Sequence, residues 1–300
     1  MTTRRPPLRI AMVQFKPKLG DVAWNTRKAL ELCSTIQPRS VDLLCFPEMI
    51  LTGYMFDSAK SIYPYLESPK TGPTSQLCTS LAKRLECYVI AGYPEKLSIS
   101  EAREAPQVGA NSALLIGPSG EWIGGYRKSN LFITDKSWAK PAGPGFAYFD
   151  LPAPLYRIAL GICMDLNVAE GSQWTSLEHG PYELASFALE KRANILVIPC
   201  AWLASDREHR DDLSYDEDSI DTRNVSYWCE RLRPLWAPDG RSVNAEQDTA
   251  VIICNRAGQE IGTVFAGSST LLRLSRSRGR PLIIGGMTRE EEAVKAWTLY

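Results

Sequence analysis

The sequence carries one strand–helix–strand pattern twice, and this duplication restricts the folds available to it. The apolar run Leu8–Gln14 predicts a strand, and Tyr156–Ile162 repeats its residue types in the second half. Each run is followed by a predicted helix and a second apolar strand. Val41–Glu48 and Ala193–Cys200 match in residue type along their length. Two related halves of this kind pack naturally as two sheets face to face with helices outside, which is an α/β architecture.

Hydrophobic periodicity and breaker residues predict the remaining elements. Predicted helices cover about 22–36 (with Asp21 as N-cap), 75–86, 181–192 and 220–232, and a short C-terminal helical tail covers 289–300. Predicted strands cover 88–93, 111–117, 121–127 and 249–254. We expect mostly loop over 129–150 and a solvated, charged loop over 205–218. No linker composition interrupts the chain, so residues 1–300 are expected to form a single domain.

Composition and charge argue against several classes of partner. Lys+Arg and Asp+Glu both number 34, so the formal net charge is zero, which disfavours nucleic acid. No run approaches the roughly 18 apolar residues of a membrane span, and the first residues lack a signal-peptide core. Eight cysteines in 300 residues do not have the density of a disulfide-rich secreted scaffold. We expect no membrane partner and a reducing, cytoplasmic location, with a mitochondrial fraction as the alternative because of Arg4 and Arg5.

Three polar residues each follow an apolar strand. Glu48 ends Phe46-Pro-Glu48, Lys128 ends Tyr126-Arg-Lys128, and Cys163 lies in Gly161-Ile-Cys163-Met-Asp165. Because functional groups gather at the carboxyl ends of strands in α/β folds, we expect all three to face one cleft. Each has an ordinary structural interpretation when taken alone, and a lone cysteine is more often a small buried hydrophobe. Their occurrence together and in order favours a functional site.

This ordered Glu, Lys and Cys set resembles the nitrilase, or carbon–nitrogen hydrolase, superfamily, and the resemblance covers almost the whole chain. It implies a four-layer αββα sandwich with internal two-fold pseudo-symmetry and hydrolysis of a non-peptide carbon–nitrogen bond. In those terms Glu48 is the general base, Cys163 is the nucleophile, and Lys128 with the backbone N–H of Met164 stabilises the oxyanion. Many members carry a second carboxylate after the lysine. Here the nearest acid is Asp135, which either orients Lys128 or is a surface acid.

The flanking residues narrow the resemblance to fungal protein N-terminal amidases. The segments that carry it are 51–54, Cys163-Met-Asp-Leu-Asn167, 199–202, 227–234 and 254–269. The resemblance implies deamidation of N-terminal Asn and Gln of proteins and peptides to Asp and Glu, which feeds the N-degron pathway. We expect no metal or other cofactor. No Cys/His spacing predicts zinc, and His179 and His209 alone support no histidine triad.

A peptide substrate needs a carboxylate for its α-ammonium group and walls for its pocket. The candidate carboxylates are Asp57, Asp165 and Glu230, and the candidate walls are Tyr54, Trp202 and Trp228. Each also has a structural interpretation, since Asp165 is of a type that forms turns with its own backbone and the tryptophans are typical of cores. Cys200 lies at the strand end equivalent to Glu48, where packing is the expected role.

Two other functions stay open at this point. The chain is similar enough to other nitrilase branches to be a hydrolase of small amides, such as an ω-amidase or carbamoylase. It is also compatible with a catalytically silent relative that binds a partner, although the presence of Glu48, Lys128 and Cys163 argues against that reading. We expect a monomer or a homodimer.

Overall fold

The protein is described by a computed structural model over residues 6–104, 106–143, 145–205, 216–238 and 247–300. Most of the predicted charged loop (206–215), together with Arg4, Arg5 and His209, lies outside the described residues. The described helices are α1 (Val22–Cys33), α2 (Ala59–Ile62), α3 (Pro73–Leu85), α4 (Ile99–Glu104), α5 (Glu183–Glu190) and α6 (Thr222–Arg231). Short 3-10 helices cover Tyr63–Tyr65, Asp135–Ser137, Cys163–Leu166 and Arg233–Leu235.

The described strands form two large sheets and one small hairpin. In chain order they are β1 (Leu8–Gln14), β2 (Leu43–Cys45), β3 (Tyr88–Lys96), β4 (Gly109–Ile116), β5 (Trp122–Arg127), β6 (Ala147–Asp150), β7 (Arg157–Leu160), β8 (Ile195–Cys200), β9 (Asp248–Asn255), β10 (Gln259–Glu260), β11 (Thr263–Val264), β12 (Thr270–Ser275), β13 (Leu282–Gly286) and β14 (Ala293–Leu299). The hairpin is β10 with β11.

The two six-stranded sheets have the same construction. Their orders are β14-β1-β2-β3-β4-β5 and β6-β7-β8-β9-β12-β13. Across each order the pairings are antiparallel, parallel, parallel, antiparallel and antiparallel. The predicted internal two-fold pseudo-symmetry is therefore confirmed. It makes the end of β2 equivalent to the end of β8, which is the relation expected between Glu48 and Cys200.

Side-chain alternation along the strands produces the four layers. In β1, Ile10 and Met12 belong to the core shared with the second sheet, whereas Ala11 and Val13 pack with α1 and α3. The second sheet carries α5 and α6 on its far side, where Leu184 and Val225 join its core. Because a strand points successive side chains to opposite faces, each sheet is buried on both sides. The predicted αββα sandwich is confirmed.

The predicted C-terminal helical tail is wrong. Ala293–Leu299 forms β14, which pairs antiparallel with β1 from Leu8↔Leu299 to Gln14↔Ala293. The composition of this segment permits a helix, but the edge of β1 offers unpaired backbone groups that the segment satisfies, so tertiary pairing overrides local propensity. The expected loop over 129–150 likewise contains β6, which pairs with β7. In the described part of the chain, no helix has the length and apolar character needed to span a membrane.

Candidate active site

Strand ends bring the predicted catalytic side chains to one edge of the sandwich. Glu48 follows β2, Lys128 directly follows β5, and Cys163 opens the 3-10 helix that follows β7. All three are buried, with exposed fractions of 1%, 0% and 6%. A close backbone approach keeps Glu48 in place, because a Cβ added to Gly92 on β3 would lie 2.5 Å from the Glu48 Cα. This position therefore requires glycine.

Lys128 lies between two carboxylates. Its Nζ is 2.7 Å from Oε1 of Glu48 and 2.7 Å from Oδ2 of Asp135, and all three side chains are fully buried. Its remaining contact is a long one, 3.5 Å to the hydroxyl of Tyr54. The structure therefore places Asp135, the first acid after Lys128 in the sequence, in a buried ion pair. A surface position for Asp135 is excluded.

A fourth polar residue, Asn111 on β4, completes this cluster. Its Nδ2 donates to Oε1 of Glu48 at 2.7 Å and to Oδ1 of Asp135 at 3.1 Å. Sequence reasoning missed it as a site residue, since it begins the predicted strand 111–117 and does not follow a strand. The available signal was a fully buried-strand pattern, Gly109–Ile116, interrupted by an amide side chain. Buried polar groups of this kind require partners, and the partners here are the two carboxylates.

The charges in the cluster shift the pKa values of its members. Burial pulls the pKa of Lys128 down, but Asp135 and Glu48 outweigh it, so the pKa is raised and the ammonium is charged. Burial raises the pKa of Glu48, Lys128 opposes the shift, and Asp135 adds to it. The two rises have different causes: the flanking carboxylates raise the pKa of Lys128, whereas burial is the largest cause of the raised pKa of Glu48. Glu48 is thus a carboxylate with increased proton affinity, as a general base requires.

The surroundings of Cys163 disfavour its thiolate form. Burial raises its pKa well above the ordinary value, the interaction with Cys200 raises it further, and Lys128 only partly offsets these effects. Cys200 ends β8, which runs parallel to β7 with Leu160 opposite Val197, so the two cysteines are neighbours at the sheet edge. A neutral thiol reacts slowly, and Cys163 therefore depends on a base to become a nucleophile.

Asp165 builds the turn that presents the thiol. Cys163 has a φ of 43°, a left-handed conformation that is strained for a non-glycine residue. One oxygen of Asp165 accepts from Ile162 N at 2.8 Å and the other from Asn130 N at 2.8 Å. The hydroxyl of Tyr126 donates to it at 2.8 Å. Burial raises the pKa of Asp165 to about 6. These bonds hold the backbone of the turn in its strained form.

A pocket of about 320 Å³ opens onto the thiol. Its lining residues come from the turn, from the segment after β8 and from three other positions: Tyr54, Phe132, Cys163, Met164, Asn167, Ala201, Trp202, Leu203, Ala204, Ser205 and Asn224. Trp202 is held by a bond of 3.1 Å from its Nε1 to Oδ1 of Asn224. The predicted wall residues Tyr54 and Trp202 and the predicted oxyanion residue Met164 are therefore at the pocket.

Four of the predicted binding residues are not in this lining. Trp228 is fully buried and packs edge-on against Trp202, which agrees with its alternative reading as a core aromatic. Asp165 is committed to the turn. Asp57 is exposed and accepts from Ser58 and Ser61 in the first turn of α2, and Glu230 pairs with Arg233 on the surface. Among the lining residues that the structure describes, none is a carboxylate.

The described residues form neither a disulfide bond nor a metal-binding cluster. All eight cysteines fall within the described ranges and all are free thiols. No group of three or more His, Cys, Asp or Glu side chains that could hold a metal ion occurs in the portion of the chain covered by the structure.

Comparison with known proteins places the chain in a family. A model of the carbon–nitrogen hydrolase family matches residues 9–274. The protein N-terminal amidase of Schizosaccharomyces pombe is 33% identical over 96% of this chain and 98% of that protein. The protein N-terminal amidase of Saccharomyces cerevisiae is 30% identical over 66% of this chain and 45% of that protein.

The fold agrees with these sequence matches. A crystal structure of an N-terminal amidase superposes with a TM-score of 0.82 at 20% identity, covering 98% of this chain and 97% of the other. The matched range contains Glu48, Lys128 and Cys163 and most of both six-stranded sheets. The chain belongs to the carbon–nitrogen hydrolase family.

Proposed function

We propose that this protein is a cysteine amidohydrolase that deamidates N-terminal Asn and Gln of proteins and peptides to Asp and Glu and releases ammonia. The observation that carries the proposal is the match to the fission yeast protein N-terminal amidase, which extends over 96% of this chain and 98% of that protein. The pocket supports it, because the thiol of Cys163 is in its lining, and two other lining residues, Tyr54 and Ala201, contact the carboxylate–lysine–carboxylate cluster.

The acylation step uses Glu48 as a base. The carboxylate takes the proton of Cys163, and the thiolate attacks the carboxamide carbon of the substrate side chain. The carbonyl oxygen becomes an oxyanion, which meets the charged Nζ of Lys128 and the backbone N–H of Met164. Glu48 then delivers its proton to the nitrogen as the carbon–nitrogen bond breaks. Ammonia leaves, and the acyl group remains on Cys163 as a thioester.

The deacylation step reverses these roles with water. Glu48 takes a proton from a water molecule, whose oxygen attacks the thioester carbonyl carbon. The same donors stabilise the second oxyanion. The carbon–sulfur bond breaks, and the proton on Glu48 returns to the sulfur of Cys163. The products are an N-terminal Asp or Glu and the regenerated thiol, so one amide and one water become one acid and one ammonia.

The cluster is arranged for this proton traffic. Asp135 compensates Lys128 whenever Glu48 is protonated, so the lysine stays charged through both steps. Donors fixed in a buried site are more effective than the same donors in water, and removing one typically reduces the rate by about 10²–10³. Because its pKa is raised, Glu48 accepts the thiol proton more readily than a solvent-exposed carboxylate would.

The test is ammonia release from defined substrates. Short peptides that begin with Asn or Gln are compared with their N-acetylated forms, with peptides carrying the same residue at the second position, and with free small amides and carbamoyl amino acids. We expect turnover of the first group alone, with conversion of amide to acid verified by mass spectrometry. Release from free small amides without release from either peptide would overturn the substrate assignment.

Two controls separate chemistry from binding. Cys163→Ala should lose both turnover and the covalent substrate adduct on the intact protein. Cys229→Ala removes a half-buried thiol on α6, outside the pocket lining, and should retain both. A long Asn-initiated peptide should compete with a dipeptide, whereas an enzyme of small amides would reject it. An adduct that persists in Cys163→Ala would place the nucleophile elsewhere.

A further inference from the structure

Asn111 makes contacts that no simple packing role explains. It is fully buried on β4, and its Nδ2 reaches both carboxylates that flank Lys128, Glu48 at 2.7 Å and Asp135 at 3.1 Å. Its backbone carbonyl also accepts from Lys128 N at 2.8 Å. One residue therefore contacts the backbone of the lysine and the side chains of both of its partners.

The orientation of the amide follows from its neighbours. Ionised carboxylates only accept hydrogen bonds, so the NH₂ end of Asn111 must face them, with one N–H for each. The other end is different, because no donor in the described part of the chain reaches its Oδ1. A buried amide oxygen without a partner is unfavourable. The side-chain hydrogen bonds of Asn111 are therefore made by its NH₂ group.

These contacts decide which oxygen of Glu48 is available. A carboxylate oxygen has two lone-pair directions. Oε1 accepts from Lys128 Nζ and Asn111 Nδ2, both at 2.7 Å, and so is filled. Oε2 accepts from the backbone N–H of Ala201 at 2.8 Å, and Ala201 lines the pocket beside Cys163. Among these contacts, one lone-pair direction remains, and it is on Oε2.

We propose that Asn111 is a positioning residue that orients Glu48 so that Oε2 receives the proton of Cys163, while holding Asp135 on Lys128. The proposal rests on the roles of Glu48 and Cys163 proposed above. Without the amide, Oε1 of Glu48 keeps Lys128 as its one donor, so the carboxylate is less tightly oriented, and both carboxylates lose a donor that offsets their mutual repulsion.

The charges around Glu48 set the expected pH effect. Lys128 pairs directly with Glu48, and Asp135 pairs with Lys128. Tyr54, Cys163 and Cys200 are the other described titratable groups that interact with Glu48. The bond from Asn111 lowers the pKa of Glu48, so its removal raises that pKa. The base must be ionised to act, so the acid limb of kcat/KM moves to higher pH. A hydrogen bond to a charged group corresponds to a shift of about one to two pH units.

The experiment compares Asn111→Leu, which keeps a similar volume without a donor, with wild type. The matched control is Ser112→Ala on the same strand, where the lost bond is to Glu95 and not to the cluster. Two pH profiles are recorded: kcat and KM for ammonia release, and the rate at which iodoacetamide alkylates Cys163, followed by intact mass. We expect kcat to fall about ten- to a hundredfold with KM within about threefold, and both acid limbs to move upward. The control should match wild type in both profiles.

The Tm of each variant checks its folding. If Asn111→Leu fails to fold, Asn111→Ser replaces it. Asn111→Ser retains one donor, so its pH profiles should shift in the same direction but by less than complete loss of the donor would cause. An unshifted acid limb in a folded variant, or a loss of rate matched by Ser112→Ala, would overturn the proposal. The alkylation profile needs no substrate, so it tests Asn111 even where peptides release no ammonia. A shifted alkylation limb together with inert peptides would leave the positioning role standing and reject the proposed substrate.

Discussion

Replacing Lys128 with Met tests the energetic centre of the site. The substitution keeps an unbranched side chain of similar length and removes the charge. Both ion pairs of Lys128 are 2.7 Å long, and all three side chains are fully buried. The variant would leave Glu48 and Asp135 facing each other without a cation. Removing one partner of a buried pair destabilises a protein by about 3–5 kcal/mol, because the remaining charge is uncompensated.

The predicted loss of stability is large enough to measure. At about 2 °C for each kcal/mol in a chain of this size, the expected fall in Tm is about 6–10 °C near neutral pH. The loss of the proposed oxyanion donor and the further rise in the pKa of Glu48 should lower kcat/KM by at least about 10²–10³. Lys136→Met is the matched control. That lysine is exposed and pairs with exposed Glu170, so its loss should change stability by less than about 0.5 kcal/mol.

The pH dependence distinguishes the charge from packing. Lys128 lowers the pKa of Glu48, so the variant raises it further above its unfolded value. A carboxyl with a raised folded pKa is most favourable to folding below its unfolded pKa of about 4.3 and becomes unfavourable as pH rises through the folded pKa. The gap in Tm between wild type and Lys128→Met should therefore be small near pH 5 and widen toward pH 8. Thermal unfolding by circular dichroism across that range measures it.

Two results would refute this reasoning. A variant that unfolds at the wild-type temperature at neutral pH would show that Lys128 does not compensate the carboxylates. A Tm gap that is constant from acid to neutral pH would show that lost packing, and not charge, causes the effect.

Three further substitutions test other parts of the site. Cys163→Ala should abolish ammonia release by more than about 10³-fold with little change in Tm; higher residual turnover would contradict the nucleophile assignment. Gly92→Ala should inactivate the enzyme, because the added Cβ would lie 2.5 Å from the Glu48 Cα. Gly143→Ala is the control, since a Cβ at that position meets nothing within 4 Å. Equal rates of ammonia release by the two variants would contradict the steric argument. Asp165→Ala should loosen the turn, lowering stability by about 2 kcal/mol and kcat with it, while KM stays within about threefold. A selective rise in KM would instead indicate that Asp165 binds the substrate.

The convergence of Glu48, Lys128 and Cys163 was predictable because each residue follows an apolar strand. Periodicity identifies such strands, and α/β packing gathers their ends, so the sequence alone assigns all three residues to one edge. Asn111 could not, because its backbone belongs to a strand interior. Only the pairing of β4 with β3 and β5 turns its side chain toward the carboxylates. The distinction between Asp165 as a turn anchor and as a ligand likewise depends on donors far along the chain, such as Tyr126.

The sequence by itself determined the duplicated strand–helix–strand plan, the two-sheet sandwich and the three residues with reactive side chains, since these depend on local periodicity and on order along the chain. Tertiary structure decided the rest. It converted the C-terminal segment from a predicted helix to the edge strand β14, and it made Asp135 a buried partner of Lys128. It also gave Oε1 of Glu48 two hydrogen-bond donors and Oε2 one, which leaves one lone-pair direction on Oε2. The physical reason is that backbone pairing, burial and lone-pair occupancy depend on which groups meet in space, and the groups that meet here are distant in sequence.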